Sequence, residues 1–222
     1  TADMTMALML AVTRRLPEGL ALAASDPCAE ATGLWPEEAT AIARAVPNRR
    51  REFAAGRRAA RRALGALGHA PAAIPMAPDR APHWPEGVTG TISHGAGTCL
   101  ALLGHSKDWA GLGLDLEPAL PLPDDILTTI CTPAEQAALA QDAGGLLSRR
   151  LFCAKEATYK AQYAQIRRLL SFHDLEVTFD GPHRFSAELL TVCPPFVPAT
   201  RFAGHIVEAD GIIAAVVALP RL

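Results

Sequence analysis

The stretch Phe152-Cys-Ala-Lys-Glu-Ala-Thr-Tyr-Lys160 reads as a helix with a carboxylate in the middle of an aromatic face. Residues three and four apart stack, so Phe152, Glu156, Tyr159 and Tyr163 share one side. Ala154, Ala157 and Ala161 form a second, small-residue side suited to close packing. Lys155 and Lys160 flank the carboxylate in sequence. Glu156 has two readings. It is one half of an ordinary surface pair with Lys160, contributing a few tenths of a kcal/mol, or it faces inward, where a buried carboxylate needs a cation. Gly144-Gly145 breaks the chain ahead of this helix, which is expected over about residues 147–163.

Upstream, Gly111-Leu-Gly-Leu-Asp-Leu-Glu117 is the clearest strand. Leu112, Leu114 and Leu116 alternate onto a core face, while Gly111, Gly113, Asp115 and Glu117 share the other. Two carboxylates at i,i+2 lie about 7 Å apart at Cα, close enough for their oxygens to share one divalent ion. The two glycines clear space for another backbone or a ligand. Carboxylate donors without a histidine cluster favour Mg²⁺ over zinc. The plainer reading is a strand edge with solvated acids.

A second long helix is expected over about residues 49–67, with Asn48 as N-cap and Gly68 as its stop. Its apolar stripe, Phe53, Ala60, Leu64 and Leu67, also carries Arg49 and Arg57. Arg51, Arg58 and Arg62 lie opposite, with Arg50 and Arg61 to the side, and these five read as a solvated face. A guanidinium on the core side needs an anion. A phosphate-bearing ligand and a buried carboxylate both satisfy that need.

Composition bounds the function. The chain has 222 residues, half of them hydrophobic, and a formal net charge of −2. That allows one large domain or two small ones and supplies no global basic field for nucleic acid. The five cysteines are scattered, odd in number and without metal-ligand spacing, so they read as reduced, mostly buried thiols of a cytoplasmic protein. The apolar run Met4–Val12 is too short to span a membrane and lacks a preceding basic segment, so a first strand over residues 4–13 is expected rather than a signal peptide.

The remaining elements follow in order. A short strand is expected at 20–24, and a helix from Trp35-Pro-Glu-Glu to near Val46-Pro47. Residues 69–87 read as a Pro- and Ala-rich connector. Val88–His94 and Thr98–Leu103 form a hairpin across Gly95–Gly97, with His94 at the strand tip after Ser93. Helices are expected near 124–129 and 133–142, the second opened by Thr132-Pro133-Ala-Glu135. The last third is strand-rich, with alternating Leu175, Val177 and Phe179, a strand near 184–191, and a final hairpin at Asp210-Gly211.

Taken together, Arg49…Glu52-Phe53…Gly56-Arg57…Ala60-Arg61, Pro82-His-Trp-Pro-Glu-Gly87, Gly90-Thr-Ile-Ser-His94, Gly113-Leu-Asp115-Leu-Glu117-Pro and Phe152-Cys-Ala-Lys155-Glu156-Ala-Thr-Tyr-Lys160 stand in a familiar order. The pattern, over roughly residues 45–180, resembles the 4′-phosphopantetheinyl transferases of the surfactin and enterobactin synthetase type, most closely the enterobactin synthetase component D branch. The resemblance implies an α+β fold of two similar α/β halves with antiparallel sheets, related by a pseudo-twofold axis. The halves would be residues 1–110, with the coenzyme A nucleotide contacts, and 111–222, with the metal and catalytic residues, the active site lying in the cleft between them.

The resemblance also implies Mg²⁺-dependent transfer of the 4′-phosphopantetheine arm of coenzyme A to a serine of an apo acyl, peptidyl or aryl carrier protein domain. The products would be holo carrier and 3′,5′-adenosine bisphosphate, and the pseudo-dimeric chain would work as a monomer. Asp115, Glu117 and Glu156 would hold the metal; Glu156 would take the serine proton and Lys155 would offset phosphate charge. Arg49, Arg57, Ser93, His94 and Lys160 would grip coenzyme A, with Asp115 and Lys155 also at its phosphates. Many relatives carry a basic residue and a glycine where this chain has Met76-Ala77. Either that contact is missing, or Arg80 supplies it. The alternatives are a coenzyme A or nucleotide phosphohydrolase, against which the absence of a P-loop counts, and a non-catalytic relative that binds coenzyme A or a carrier.

Overall fold

The computed structural model describes residues 2–142 and 144–221, and their side chains from residue 6 onward. Residues 4–13 are not a strand: Ala2–Thr13 is a helix, α1. The run is rich in Met, Ala and Leu, good helix formers, and its three β-branched residues, Thr5, Val12 and Thr13, do not outweigh them. It buries Leu8 and Val12, four apart, and exposes Met6 and Leu10. Strand β1 is Leu20–Ser25. The helix expected from Trp35 is cut to one turn, α2 (Pro36–Ala39), continued by a 3₁₀ turn over Thr40–Ile42.

The long arginine-rich helix is α3, Pro47–Ala66. It starts two residues earlier than Asn48 as N-cap requires. Val46 is the N-cap and Pro47 the first helical residue, where proline's fixed φ and missing N–H fit. After the connector come β2 (Val88–Gly95), β3 (Thr98–His105) and β4 (Trp109–Pro118). Helices α4 (Asp124–Ile130), α5 (Pro133–Leu139) and α6 (Leu147–Ile166) follow. The chain ends in β5 (Leu175–Asp180), β6 (Arg184–Leu189), β7 (Arg201–Ala209) and β8 (Ile212–Pro220).

Two antiparallel sheets result, β1-β3-β2 and β4-β8-β7-β6-β5. Strand alternation stacks them between helices. Ala101 and Leu103 of β3 pack with Ala59, Ala60, Ala63 and Leu64 of α3. The alternate residues Leu100 and Leu102 meet Leu112, Leu114 and Leu116 of β4 across a shared core, closed by Leu8 and Val12 of α1. The opposite face of the larger sheet, including Ile213, Ala215 and Val217, packs on Ala154, Ala157 and Ala161 of α6. The order is therefore α3, small sheet, large sheet, α6: an α+β fold in which each sheet carries one twenty-residue helix on its outer face.

The glycine face of β4 is filled by backbone. A Cβ on Gly113 would lie 1.8 Å from the Ala157 carbonyl oxygen, and one on Gly111 would lie 2.1 Å from that of Ala161. These two glycines and the alanine face of α6 let helix and strand run antiparallel in close contact. As a result the rest of that strand face, Asp115 and Glu117, passes beneath the first half of α6.

The arginines read as solvated are largely engaged. Arg58 donates to Ser25 Oγ and to the carbonyls of Asp26, Glu30 and Thr32. Arg61 pairs with buried Glu38 at 2.6 Å, and Arg62 donates to the Ala24 carbonyl. Arg50 donates to the carbonyls of Ala43 and Ala45. They fasten residues 24–45, which carry no more than the end of β1, the one-turn α2 and the 3₁₀ turn, onto α3.

Candidate active site between β2, β4 and α6

Asp115 sits at the junction of the two sheets. It is 5% exposed, and its Oδ1 accepts from Lys160 Nζ at 2.6 Å and from Ser93 Oγ at 3.1 Å. Lys160 also donates to the Leu114 carbonyl at 3.2 Å and to Ser93 Oγ at 3.3 Å. One lysine of α6 therefore ties the tip of β2 to the middle of β4. Gly95 sets this approach: a Cβ there would stand 2.3 Å from the Leu116 carbonyl oxygen. Asp115 Oδ2 is buried and has no hydrogen-bond partner among the described residues.

Glu117, two residues on, is held by Arg149 at the start of α6, 2.6 Å from Nη1 to Oε2. Arg149 also donates to the carbonyls of Leu120 and Pro121, fixing the turn after β4. Arg149 escaped the sequence reading, although it lies seven residues, two helical turns, before Glu156 on the same helix side. Glu156 is half-buried. Burial first, then Asp115 and Glu117, push its carboxyl above its ordinary value, while Lys160 pulls it down. Burial and Asp115 likewise raise Glu117, opposed by Arg149. Such shifts mark carboxylates crowded together with too few cations.

The donor set fits a hard divalent cation: three carboxylates of one neighbourhood, one with an unpartnered buried oxygen. Among the described residues, however, no group of three His, Cys, Asp or Glu side chains converges closely enough to hold a metal. Arg149 holds Glu117 and Lys160 holds Asp115 Oδ1. Asp115 Oδ2 is unpartnered among the described residues, and on Glu117 it is Oε2 that Arg149 occupies.

Lys155 is not in this site. It is 1% exposed, its ammonium 2.7 Å from Glu135 Oε2 and 2.8 Å from the carbonyls of Ile130 and Phe172. Glu135 closes the capping box of α5 by accepting from Thr132 N, and its other oxygen accepts from Val177 N. Lys155 therefore staples α6 to α4, α5 and β5. The expectation that it neutralises phosphate charge does not hold in this structure. The cause is helical phase: Lys155 and Lys160 are five residues apart, about 140° around the axis.

The arginines of α3 also part company. Arg49 is half-exposed and donates from Nη1 to His94 Nε2 at 2.8 Å, with Glu52 3.6 Å from the same nitrogen. A guanidinium can only donate, so the His94 ring accepts through Nε2 and is neutral there. Burial holds His94 below its ordinary value, and Arg49 and Lys160 add to this, against Glu52 and Asp115. Arg57 is 5% exposed and stacks on Phe53, 3.8 Å from the ring centroid. Burial brings it down to about 10. Its Nε donates to the Ile74 carbonyl at 2.9 Å, while Ile74 N donates to Glu38. Arg57 thus grips the anchored backbone of the connector through Nε, while its Nη2 has no partner among the described residues.

A cavity of about 510 Å³ opens beside Lys160. Tyr159, Lys160, Tyr163 and Ala164 of α6 form one wall, Thr89 and Thr91 of β2 another, and Arg80 to Trp84 of the connector a third. Across it, Asp79 accepts from Tyr163 Oη at 3.0 Å and from Arg167 at 2.9 Å. The aromatic helix face thus lines a cavity and the sequence-predicted Arg80 reaches it. Lys160, which lines it, also binds Ser93 and Asp115; Arg57 and Lys155 are not among its lining residues.

Comparison with known proteins gives the same family in both sheets. Residues 37–104 match the 4′-phosphopantetheinyl transferase N-terminal domain and residues 111–216 the 4′-phosphopantetheinyl transferase superfamily. The chain is 37% identical to 4′-phosphopantetheinyl transferase Npt of Nocardia iowensis, over 82% of this chain and 88% of that protein. It is 40% identical to 4′-phosphopantetheinyl transferase Svp of Streptomyces mobaraensis, over 84% and 78% of the two chains. Enterobactin synthase component D of Escherichia coli is 34% identical over 60% of this chain and 64% of that one.

Proposed function

The chain belongs to the 4′-phosphopantetheinyl transferases, enzymes that move the phosphopantetheine arm of coenzyme A to a carrier protein, and we propose that its transfer runs where β2, β4 and α6 meet. The observation that carries this reading is Asp115, with one oxygen bound to Lys160 and Ser93 and the other buried and free, facing a Glu156 whose proton affinity is raised.

In this reading the 510 Å³ cavity takes the pantetheine arm against Tyr159, Tyr163 and Trp84, a size within the range of small-molecule sites. Lys160, at the junction of cavity and carboxylates, places its charge beside the pyrophosphate. Arg49 and His94, half-exposed at the tip of β2, offer donors to the 3′-phosphate, and Arg80 offers a further cation from the connector. Glu156 accepts the proton of the carrier serine hydroxyl; its raised proton affinity makes it a better base than an exposed carboxylate. The serine oxygen bonds to the phosphorus bearing pantetheine, and the bond from that phosphorus to the bridging oxygen breaks, leaving 3′,5′-adenosine bisphosphate.

Asp115 and Glu117, with Glu156, would hold a Mg²⁺, which when bound supplies positive charge to the pyrophosphate oxygens. Residues 1–110 would then carry the nucleotide contacts and 111–222 the carboxylates. We further propose a cytoplasmic monomer acting on acyl, peptidyl or aryl carrier domains. Among the described residues no helix is long and apolar enough to cross a membrane.

The test is incubation with coenzyme A, Mg²⁺ and a panel of apo carrier domains, read by mass spectrometry. The expected result is a phosphopantetheine mass gain on at least one carrier. Folded protein that modifies none, or that releases adenosine bisphosphate without any carrier, would overturn the reading in favour of a binding relative or a phosphohydrolase.

A further inference from the structure

Far along the large sheet from β4, the end of α1 faces the β5–β6 turn across an open cleft of about 640 Å³. Its charged lining is one-sided. Arg14 and Arg15 follow the end of α1, His183 comes from the β5–β6 turn, Arg184 is the first residue of β6, His205 comes from β7, and Asp180 is the one carboxylate among the lining residues. None of these six belongs to the site described above.

Three features need explaining. Arg184 and His205 are directly opposed in the β6–β7 register, an arrangement that is unfavourable when both are charged. His183 Nδ1 is buried without a hydrogen-bond partner among the described residues, although its carbonyl is anchored by Ile206 N at 2.9 Å. Asp180 does not balance the cluster: it pairs with Arg184 at 2.7 Å, but both side chains are mostly exposed, so the contact is weak. The ordinary explanation for Arg14 and Arg15 is that cations suit a helix C-terminus. It does not explain why His183, Arg184 and His205, from other elements, converge on the same space.

We propose that this cleft is a second anion site that binds the phosphate groups of a small phosphorylated molecule. Three arginines, two just after α1 and one at the start of β6, line a concavity of small-molecule size together with two histidines. Arginines supply paired donors matched to phosphate oxygens. The concave shape favours a compact anion over a flat macromolecular surface. Consistent with that, burial and then Arg15, Arg184 and His183 hold His205 below its ordinary value; a bound dianion would relieve this.

The probe is inorganic pyrophosphate, titrated into the full chain while the ring signals of His183 and His205 are followed by NMR. Both sets should shift saturably at millimolar concentration or below. The double variant R15A/R184A should weaken that binding at least tenfold while coenzyme A binding, measured separately, is unchanged. If the double variant does not fold, R184Q, at an exposed position, should weaken it severalfold. Absence of saturable shifts, or equal binding by folded variants, overturns the proposal. So does binding to phosphatidylserine vesicles with no response to pyrophosphate, which would make the patch a membrane contact.

Discussion

Replacing Lys155 by Met separates two incompatible roles for one residue. In the structure the ammonium lies 2.7 Å from Glu135, and the two side chains are 1% and 3% exposed. K155M keeps the chain length and removes the charge. It leaves the Glu135 carboxylate buried without its cation, a loss of about 3–5 kcal/mol for a broken buried pair. For a chain of this size each kcal/mol moves the melting temperature by about 2–4 °C, so the midpoint should fall by roughly 6–20 °C. E135Q should behave differently when combined with it. A glutamine retains an acceptor for Val177 N or Thr132 N, so K155M/E135Q should be less destabilised than the two single losses added together. The assay is thermal unfolding, paired with transfer measured well below the variant's midpoint, where turnover should stay within severalfold of the parent. A K155M protein that melts like the parent yet transfers nothing would refute the buried pair and return this lysine to the phosphates.

E156Q should raise the melting temperature near pH 7–8 while abolishing transfer. A carboxyl whose proton affinity is raised on folding is destabilising once ionised, so the gain should vanish near pH 4, where the unfolded chain also becomes protonated; in the parent, transfer should decline as pH falls through that raised value. D115N keeps an acceptor for Lys160 and Ser93 but loses its charge. It should lack the Mg²⁺-dependent rise in melting temperature expected of the parent and cut transfer about a hundredfold or more. G113A forces a Cβ to within 1.8 Å of the Ala157 oxygen and should cost about 1–3 kcal/mol or more in urea unfolding. G65A, in α3 with nothing within 4 Å of the added methyl, should instead be neutral or stabilising by about 0.5–1 kcal/mol.

Strong periodicity was readable, and what failed depended on partners far away in sequence. The alternation of Leu112, Leu114 and Leu116 fixed both faces of β4, and the alanines of α6 matched its glycines. Residues 4–13 misled because an apolar run of nine or ten residues has no periodicity strong enough to separate strand from helix; the spacing of Leu8 and Val12 held the answer. The α3 arginines were misjudged in both directions. Arg58 and Arg61 have partners in residues 25–38, more than twenty residues away in sequence, which helical periodicity does not report. Arg57 was rightly placed inward, but its acceptor is a carbonyl of the connector, and no side-chain pattern encodes a backbone oxygen.

The two lysines of the Lys-Glu-x-x-x-Lys segment show how much one helix can divide its labour. Glu156 and Lys160 are four apart, about 40° around the axis, so they share the cleft side. Lys155, adjacent to Glu156, is about 100° away and points toward Glu135. The buried pair on that side fixes the rotation of α6, while the alanine–glycine contact fixes its distance from β4. Together they leave Glu156 no rotation of the helix by which to escape Asp115 and Glu117. That accounts for a carboxylate held in surroundings that raise its proton affinity: the cost of crowding three acids is met by packing on the two other sides of the same helix.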